Sequence, residues 1–153
     1  MKQMTKMALA AVLAMSSTAT WAQGLKDAYK DYFMIGVAVN QRNVTNAQQQ
    51  ALVKREFNSM TAENDMKPEP TEPQEGQFNF ENADRIADFA RQNGIKLRGH
   101  CLMWHSQIGR WMYDGVTDKE VFYKRMKNHI QTIVSRYKEI GRASCRERVC
   151  SWV

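Results

Sequence analysis

Leu97-Arg-Gly-His-Cys-Leu-Met-Trp-His-Ser-Gln107 is the stretch from which the rest of this chain is read, because a short apolar run ends in two histidines, a tryptophan and a glutamine. Ile95-Lys-Leu97 opens a strand running toward His100. Before it, Ile86, Phe89 and Ala90 recur at helical spacing and predict a helix over 82–93, with Gly94 as its left-handed stop. Further upstream, Phe57-Asn-Ser-Met-Thr61 reads as a second strand ending at Ala62 and Glu63. Phe33-Met-Ile-Gly-Val-Ala-Val39 reads as a first strand, apolar enough to be buried on both faces. Thr45 with Gln48 forms a capping-box pattern for the helix between these two strands. Downstream, Thr117 with Glu120 forms another, and Phe122, Met126, Ile130, Ile133, Val134 and Tyr137 line one face of a long helix.

The order is strand, helix, strand, helix, strand, helix, which demands crossovers and therefore a parallel sheet of the α/β class. In such sheets ligands bind beyond the carboxyl ends of the strands. Thr61-Ala-Glu-Asn-Asp-Met-Lys67 follows the second strand and the opening stretch follows the third, so both polar runs fall on one rim. The connection from Lys67 to Gly76 holds three prolines and several acidic residues, which rule out a helix interior and mark an exposed connection.

At 153 residues, 43% hydrophobic and 25% charged, the chain has the composition of one globular domain. Half of the formal charge of +6 lies at the ends: residues 23–138 hold 17 basic and 14 acidic side chains, a net of +3, and the signs interleave. That pattern does not make a phosphate-binding stripe, so no nucleic-acid partner is expected. Lys2 and Lys6, the apolar run Met7–Met15 and the small residues before Gln23 predict a secretory signal over 1–22. The run is too short to span a bilayer. The expected product is therefore a periplasmic or secreted bacterial protein with no membrane partner, and a monomer. Cys101 is the lone thiol before the tail, so no internal disulfide is expected there.

From Glu139 the pattern changes. Glu139-Ile-Gly-Arg-Ala-Ser-Cys-Arg-Glu-Arg-Val-Cys150 is a basic scramble where a fourth strand is due. Codons can be chosen for these twelve residues that spell a common short-read sequencing adapter, so 139–153 is read as a non-native tail.

Pyranose rings offer hydroxyls to charged and amide groups and an apolar face to aromatic rings. The rim supplies both. Glu63 can accept from two hydroxyls, Asn64 and Gln107 can donate and accept, Lys67 carries three donors, and Trp104 gives a platform. The same residues also fit plainer roles. Glu63 and Lys67, four apart, have the spacing of an ion pair. His100 fits a hydrogen-bonded core histidine, Trp104 fits packing, and His105 fits a supporting role behind its neighbours. His129 falls mid-helix and reads as solvated. A zinc site at His100, Cys101 and His105 lacks a fourth ligand, and adjacent strand residues point to opposite faces, so no metal is expected. Cys101 in apolar surroundings would have a raised pKa, unsuited to a nucleophile. Gly94 and Gly99 make no phosphate loop, and no cofactor is expected.

Thr61-Ala-Glu-Asn-Asp-Met-Lys-Pro-Glu69, Gly76-Gln-Phe-Asn-Phe80, Ala83-Asp84 and Leu97–Gln107 closely resemble the N-terminal part of glycoside hydrolase family 10 endo-1,4-β-xylanases, over roughly Leu25 to Lys138. The resemblance implies about the first three βα units of a (β/α)8 barrel, over residues 23–138, and endo-hydrolysis of β-1,4-linked xylan with retention. It implies that Glu63, Asn64 and Lys67 contact the sugar on the non-reducing side of the cut. His100, Trp104 and Gln107 would then hold the sugar about to be cleaved. Retaining enzymes use two carboxylates about 5–5.5 Å apart. The family carries them after its fourth and seventh strands, the first within an Asn-Glu pair that does not occur in this sequence. The expectation is therefore an inactive chain from a xylanase, the alternative being a non-catalytic carbohydrate-binding protein that uses the same rim.

Overall fold

The two-residue alternation of short strands and the helical stripe of the segments between them produce a parallel sheet with helices packed on one face. The computed structural model describes residues 23–139 and 141–144; the signal-like segment 1–22 and the tail beyond 144 lie outside the described residues. The elements are α1 (Leu25–Ala28), β1 (Gly36–Val39), α2 (Gln41–Thr45), α3 (Ala47–Glu56), β2 (Ser59–Ala62), α4 (Pro68–Thr71), α5 (Glu81–Gln92), β3 (Lys96–His100), a 3-10 turn (Arg110–Met112), α6 (Lys119–Tyr137) and β4 (Gly141–Ser144).

The strands lie in the order β1-β2-β3-β4, all parallel. Val39 stands opposite Ala62, and Thr61 opposite Arg98, so the loops that leave β1, β2 and β3 emerge on one rim. Val39, Met60, Ala62 and Leu97 point to the helices and join Val53, Ala83, Ile86, Ala87, Phe89 and Ala90 in one core. Met60 and Ile86 are fully buried, each contributing roughly 1.5–3 kcal/mol relative to exposure. A second core lies under the loop after β3: Leu102, Met103 and Met112 pack with Met126, Ile130 and Ile133 of α6, and Tyr137 touches both cores.

The parallel α/β arrangement expected from the sequence is present, and its boundaries differ in instructive ways. β1 begins at Gly36 and is buried only at Val39, since it lies at the sheet edge; Phe33 and Met34 before it are exposed. Asparagines do the capping expected of Thr45: Asn40 caps α2 and Asn46 caps α3, while Thr45 bonds back to the Gln41 and Arg42 carbonyls. Asp118, not Thr117, caps α6 through the Glu120 N–H. The proline-rich connection is neither fully exposed nor free of helix. Pro68 occupies the first turn of α4, where its missing N–H has no partner to lose, and Pro68, Thr71 and Glu72 are buried. Finally, Gly141–Ser144 pairs with β3 as a fourth parallel strand where the sequence pattern predicts none.

Candidate functional site

The rim is built by two loops. The first runs from Ala62 at the end of β2 into α4, and the Glu63 N–H donates to the Val39 carbonyl at 2.8 Å, extending the β1–β2 pairing one residue past the strand. The second leaves β3 at His100, passes a cis His100–Cys101 peptide, and reaches the 3-10 turn at Arg110. The loops are stitched together: the Glu69 N–H donates to the Gln107 carbonyl at 2.9 Å. Gln107 itself holds φ at +51°, a left-handed conformation that costs a non-glycine residue about 1–2 kcal/mol and recurs at functional sites.

Lys67 is the centre of the arrangement. It is 6% exposed, and a buried ammonium costs several kcal/mol unless it is partnered. Its Nζ donates to Asn64 Oδ1 at 2.7 Å and lies 4.4 Å from the centre of the Trp104 ring. The ring face supplies negative quadrupole to the cation, an interaction worth about 2 kcal/mol when desolvated. Trp104 in turn stands 6.4 Å from the His100 ring and edge-on to His105 at 5.5 Å. Thus Asn64, Lys67, Trp104, His100 and His105 form one contiguous wall drawn from both loops. Gln107 joins that wall through its backbone. Glu63 is placed on the same rim but is held by Asn40, whose Nδ2 donates to Glu63 Oε2 at 3.3 Å. No Glu63–Lys67 ion pair forms among the described residues, because Asn64 takes the ammonium instead.

Four residues that brace the wall escaped the sequence reading. Asn40 caps α2 while gripping Glu63. Asp65 accepts from the Gln41 N–H at 2.9 Å and from Asn82 Nδ2 at 3.3 Å, tying the first loop to α2 and α5. Glu72 and His129 form the third brace, and here the expectation of a solvated His129 is corrected: it is 0% exposed. Its Nδ1 lies 2.7 Å from Glu72 Oε2, the Gly76 N–H donates to Glu72 Oε1 at 2.8 Å, and Trp111 Nε1 donates to the Glu72 carbonyl at 2.8 Å. Burial pulls the His129 pKa below its ordinary value, against smaller upward pushes from Glu72 and the Leu102 backbone. The ring is therefore neutral near pH 7, with Nδ1–H donating to the carboxylate. Asn40 and Asn43 three apart after a strand were a readable cap signal; a burial 57 residues away from its partner was not.

Arg136, in the last turn of α6, grips Asp84, in the first turn of α5, with two bonds of 2.9 and 2.5 Å, and Tyr137 OH adds a third at 2.9 Å. These bonds, the Arg136 pair first, hold the Asp84 carboxyl below its usual range, while burial and Asp84 push the Tyr137 hydroxyl up. Cys101 is buried as a thiol, and no cluster that could hold a metal occurs among the described residues. No helix among the described residues is long and apolar enough to cross a membrane.

A family model described as Glycosyl hydrolase family 10 matches residues 24–152. The chain belongs to glycosyl hydrolase family 10. It is 56% identical over 121 residues to an endo-1,4-beta-xylanase/feruloyl esterase of Xylanibacter ruminicola, covering 76% of this chain and 17% of that protein. A solved psychrophilic glycoside hydrolase family 10 endo-beta-1,4-xylanase superposes with a TM-score of 0.77 at 64% identity, over 80% of this chain and 39% of that one. A solved mutant in complex with xylotriose matches with a TM-score of 0.72 at 38% identity, over 76% and 36% of the two chains. The chain thus spans less than a fifth of the Xylanibacter ruminicola relative and about two fifths of these solved chains, and its helices and parallel strands are part of a (β/α)8 barrel.

Proposed function

We propose that this family 10 chain supplies the sugar-gripping wall of an endo-1,4-β-xylanase that cleaves xylan with retention. The observation that carries the reading is the buried Lys67, held between Asn64 Oδ1 and the Trp104 ring at the carboxyl ends of parallel strands. An ammonium has three donors and Asn64 takes one, leaving two for sugar hydroxyls beside an aromatic face. Glu63 and Gln107 extend the polar lining, His100 faces the same space from the end of β3, and His105 supports Trp104 from its edge. The xylotriose bound in a related solved structure is the ligand chemistry that this wall suits.

Hydrolysis needs a general acid/base and a nucleophile. Glu63 is committed to the wall, and the Asn-Glu pair implied by the family resemblance is missing, so the 153-residue chain grips xylan without cutting it. We read 1–22 as a secretory signal for the periplasm or exterior, 139–153 as a non-native tail, and the product as a monomer with no nucleic-acid or membrane partner.

Titration of the purified chain with xylotriose, followed by amide NMR, tests the reading. Binding weakened at least about tenfold by Trp104→Ala, in line with loss of a stacking platform, supports it. Absence of any shift at saturating xylotriose overturns the gripping wall, and release of reducing sugar from xylan by the chain overturns its proposed inactivity.

A further inference from the structure

Asn40, the first residue after β1, does more than cap a helix. Its Oδ1 accepts the backbone N–H groups of Arg42 at 3.0 Å and Asn43 at 3.4 Å, and its own backbone N–H donates to Asn43 Oδ1 at 2.7 Å. Two donors converge on Oδ1, so a flipped amide would set its NH2 against backbone hydrogens. The amide has one tenable orientation. Nδ2 is then directed away from α2, and it meets Glu63 Oε2 at 3.3 Å. The backbone of Glu63 is already fixed by its bond to Val39. Two residues on, Asp65 is held by the Gln41 N–H, so the start of α2 secures the loop on both sides of Asn64.

We propose that Asn40 is a positioning residue for Glu63: the α2 cap orients the amide, and the amide orients the carboxylate toward the ligand. This rests on the reading of Glu63 as a sugar contact. A glutamate side chain left to itself loses rotamer freedom when a ligand immobilises it, and a carboxylate held in advance avoids that cost at the moment of binding. The cap and the positioning role are separable by chemistry. Asn40→Ser keeps a capping acceptor and removes Nδ2, while Asn40→Asp keeps the cap and sets a second carboxylate against Glu63.

The test has two readouts on the 153-residue chain. In the absence of sugar, the side-chain carboxyl carbon of Glu63 is followed by NMR, with the Arg42 and Asn43 amides as controls for the cap. Its resonance is expected to move in both variants while those two amides keep their protection from hydrogen exchange. Xylotriose affinity is expected to fall roughly threefold to tenfold in Asn40→Ser, as for a partly exposed bond to a charged group, and further in Asn40→Asp. In a Glu63→Ala background Asn40→Ser is expected to add nothing. An unmoved Glu63 resonance, or the same loss in the Glu63→Ala background, overturns the proposal. If the unaltered chain does not bind xylotriose, the sugar reading falls, and the proposal, which rests on it, falls with it; the sugar-free Glu63 resonance then still tells whether Asn40 orients the carboxylate.

Discussion

Replacing His129 by alanine probes the brace that fastens the first rim loop to α6. Glu72 and His129 are 1% and 0% exposed, and their 2.7 Å contact joins residues 57 apart in sequence. Without the imidazole, the Glu72 carboxylate keeps the Gly76 N–H on one oxygen and loses its partner on the other. Leaving a buried carboxylate oxygen without its hydrogen-bond donor costs about 1–3 kcal/mol or more. The ring also stacks on Phe78 with centroids 6.2 Å apart, and its removal leaves a void there. Domains of this size have about 5–15 kcal/mol in total, so His129→Ala should remove a large share of stability. Glu72→Gln preserves shape and the bond from Gly76 and should cost nearer 1 kcal/mol. Urea unfolding monitored by tryptophan fluorescence measures both, since Trp111 bonds the Glu72 carbonyl. A His129→Ala cost below about 1 kcal/mol, or equal costs for the two variants, would refute the argument that an orphaned buried charge is what matters.

The same pair sets a pH dependence whose sign is fixed by the depressed pKa of His129. Below about 6.5 the unfolded imidazole takes up a proton that the folded one refuses, so the unfolded state binds more protons and stability falls as the pH drops. The loss begins near pH 6.5 and grows by up to about 1.4 kcal/mol per pH unit until the folded histidine titrates. Unfolding free energies at pH 7.5 and 5.5 should differ in the unaltered chain. That difference should shrink in His129→Ala.

Three further perturbations test the packing around the site. Gly109→Ala would place a Cβ 2.4 Å from Trp111 Nε1 and 3.1 Å from the Glu72 carbonyl, so it should cost about 1–3 kcal/mol and change Trp111 emission. Gly94→Ala meets no neighbour within 4 Å, so its cost should be the left-handed strain at φ +62° alone, about 1 kcal/mol by thermal melting. Asp84→Ala removes three bonds from Arg136 and Tyr137, and with the carboxylate about a third exposed the expected cost is about 1–2 kcal/mol. Because the Asp84 pKa is depressed, that contribution is present above about pH 4 and lost as the pH falls below it, a window separate from that of His129.

The periodic features of the fold were legible before any coordinates. The stripe from Phe122 to Tyr137 is the face of α6 that fills the second core, and Gly94 does stop α5. Parallel pairing followed from connection lengths alone. What periodicity cannot reveal is which polar residue turns inward, since burial of Glu72 and His129 depends on their meeting across the fold. Composition likewise read the proline-rich connection as exposed, although Pro68 starts a helix and Thr71 caps its own turn through the Lys67 carbonyl at 2.8 Å. β4 shows the converse. A parallel edge pairing asks for an extended backbone of the right length after α6, not for a particular side-chain pattern, so Gly141–Ser144 pairs with β3 despite an unpromising composition. The origin of 139–153 is a matter of codons: a nucleotide sequence that does not spell an adapter would end the reading of that tail as non-native.

Of the site, residue types on the rim were legible and their mutual geometry was not. Glu63 and Lys67 at a spacing of four invited an ion pair, yet the loop leaves β2 extended and turns only at Asn64, where the Lys67 N–H bonds the Asn64 carbonyl at 2.9 Å. That turn carries the ammonium onto Asn64 Oδ1 and Trp104, and leaves Glu63 to Asn40. Each wall residue is consequently fixed by something within the first three βα units: Glu63 by the β1 end, Lys67 by Trp104, the loop between them by Asp65, and the turn after α4 by His129. A wall braced in this way does not need the cleaving carboxylates in order to keep its shape. On the reading of this rim as a sugar-gripping wall, substitutions in the braces should therefore alter affinity for xylotriose.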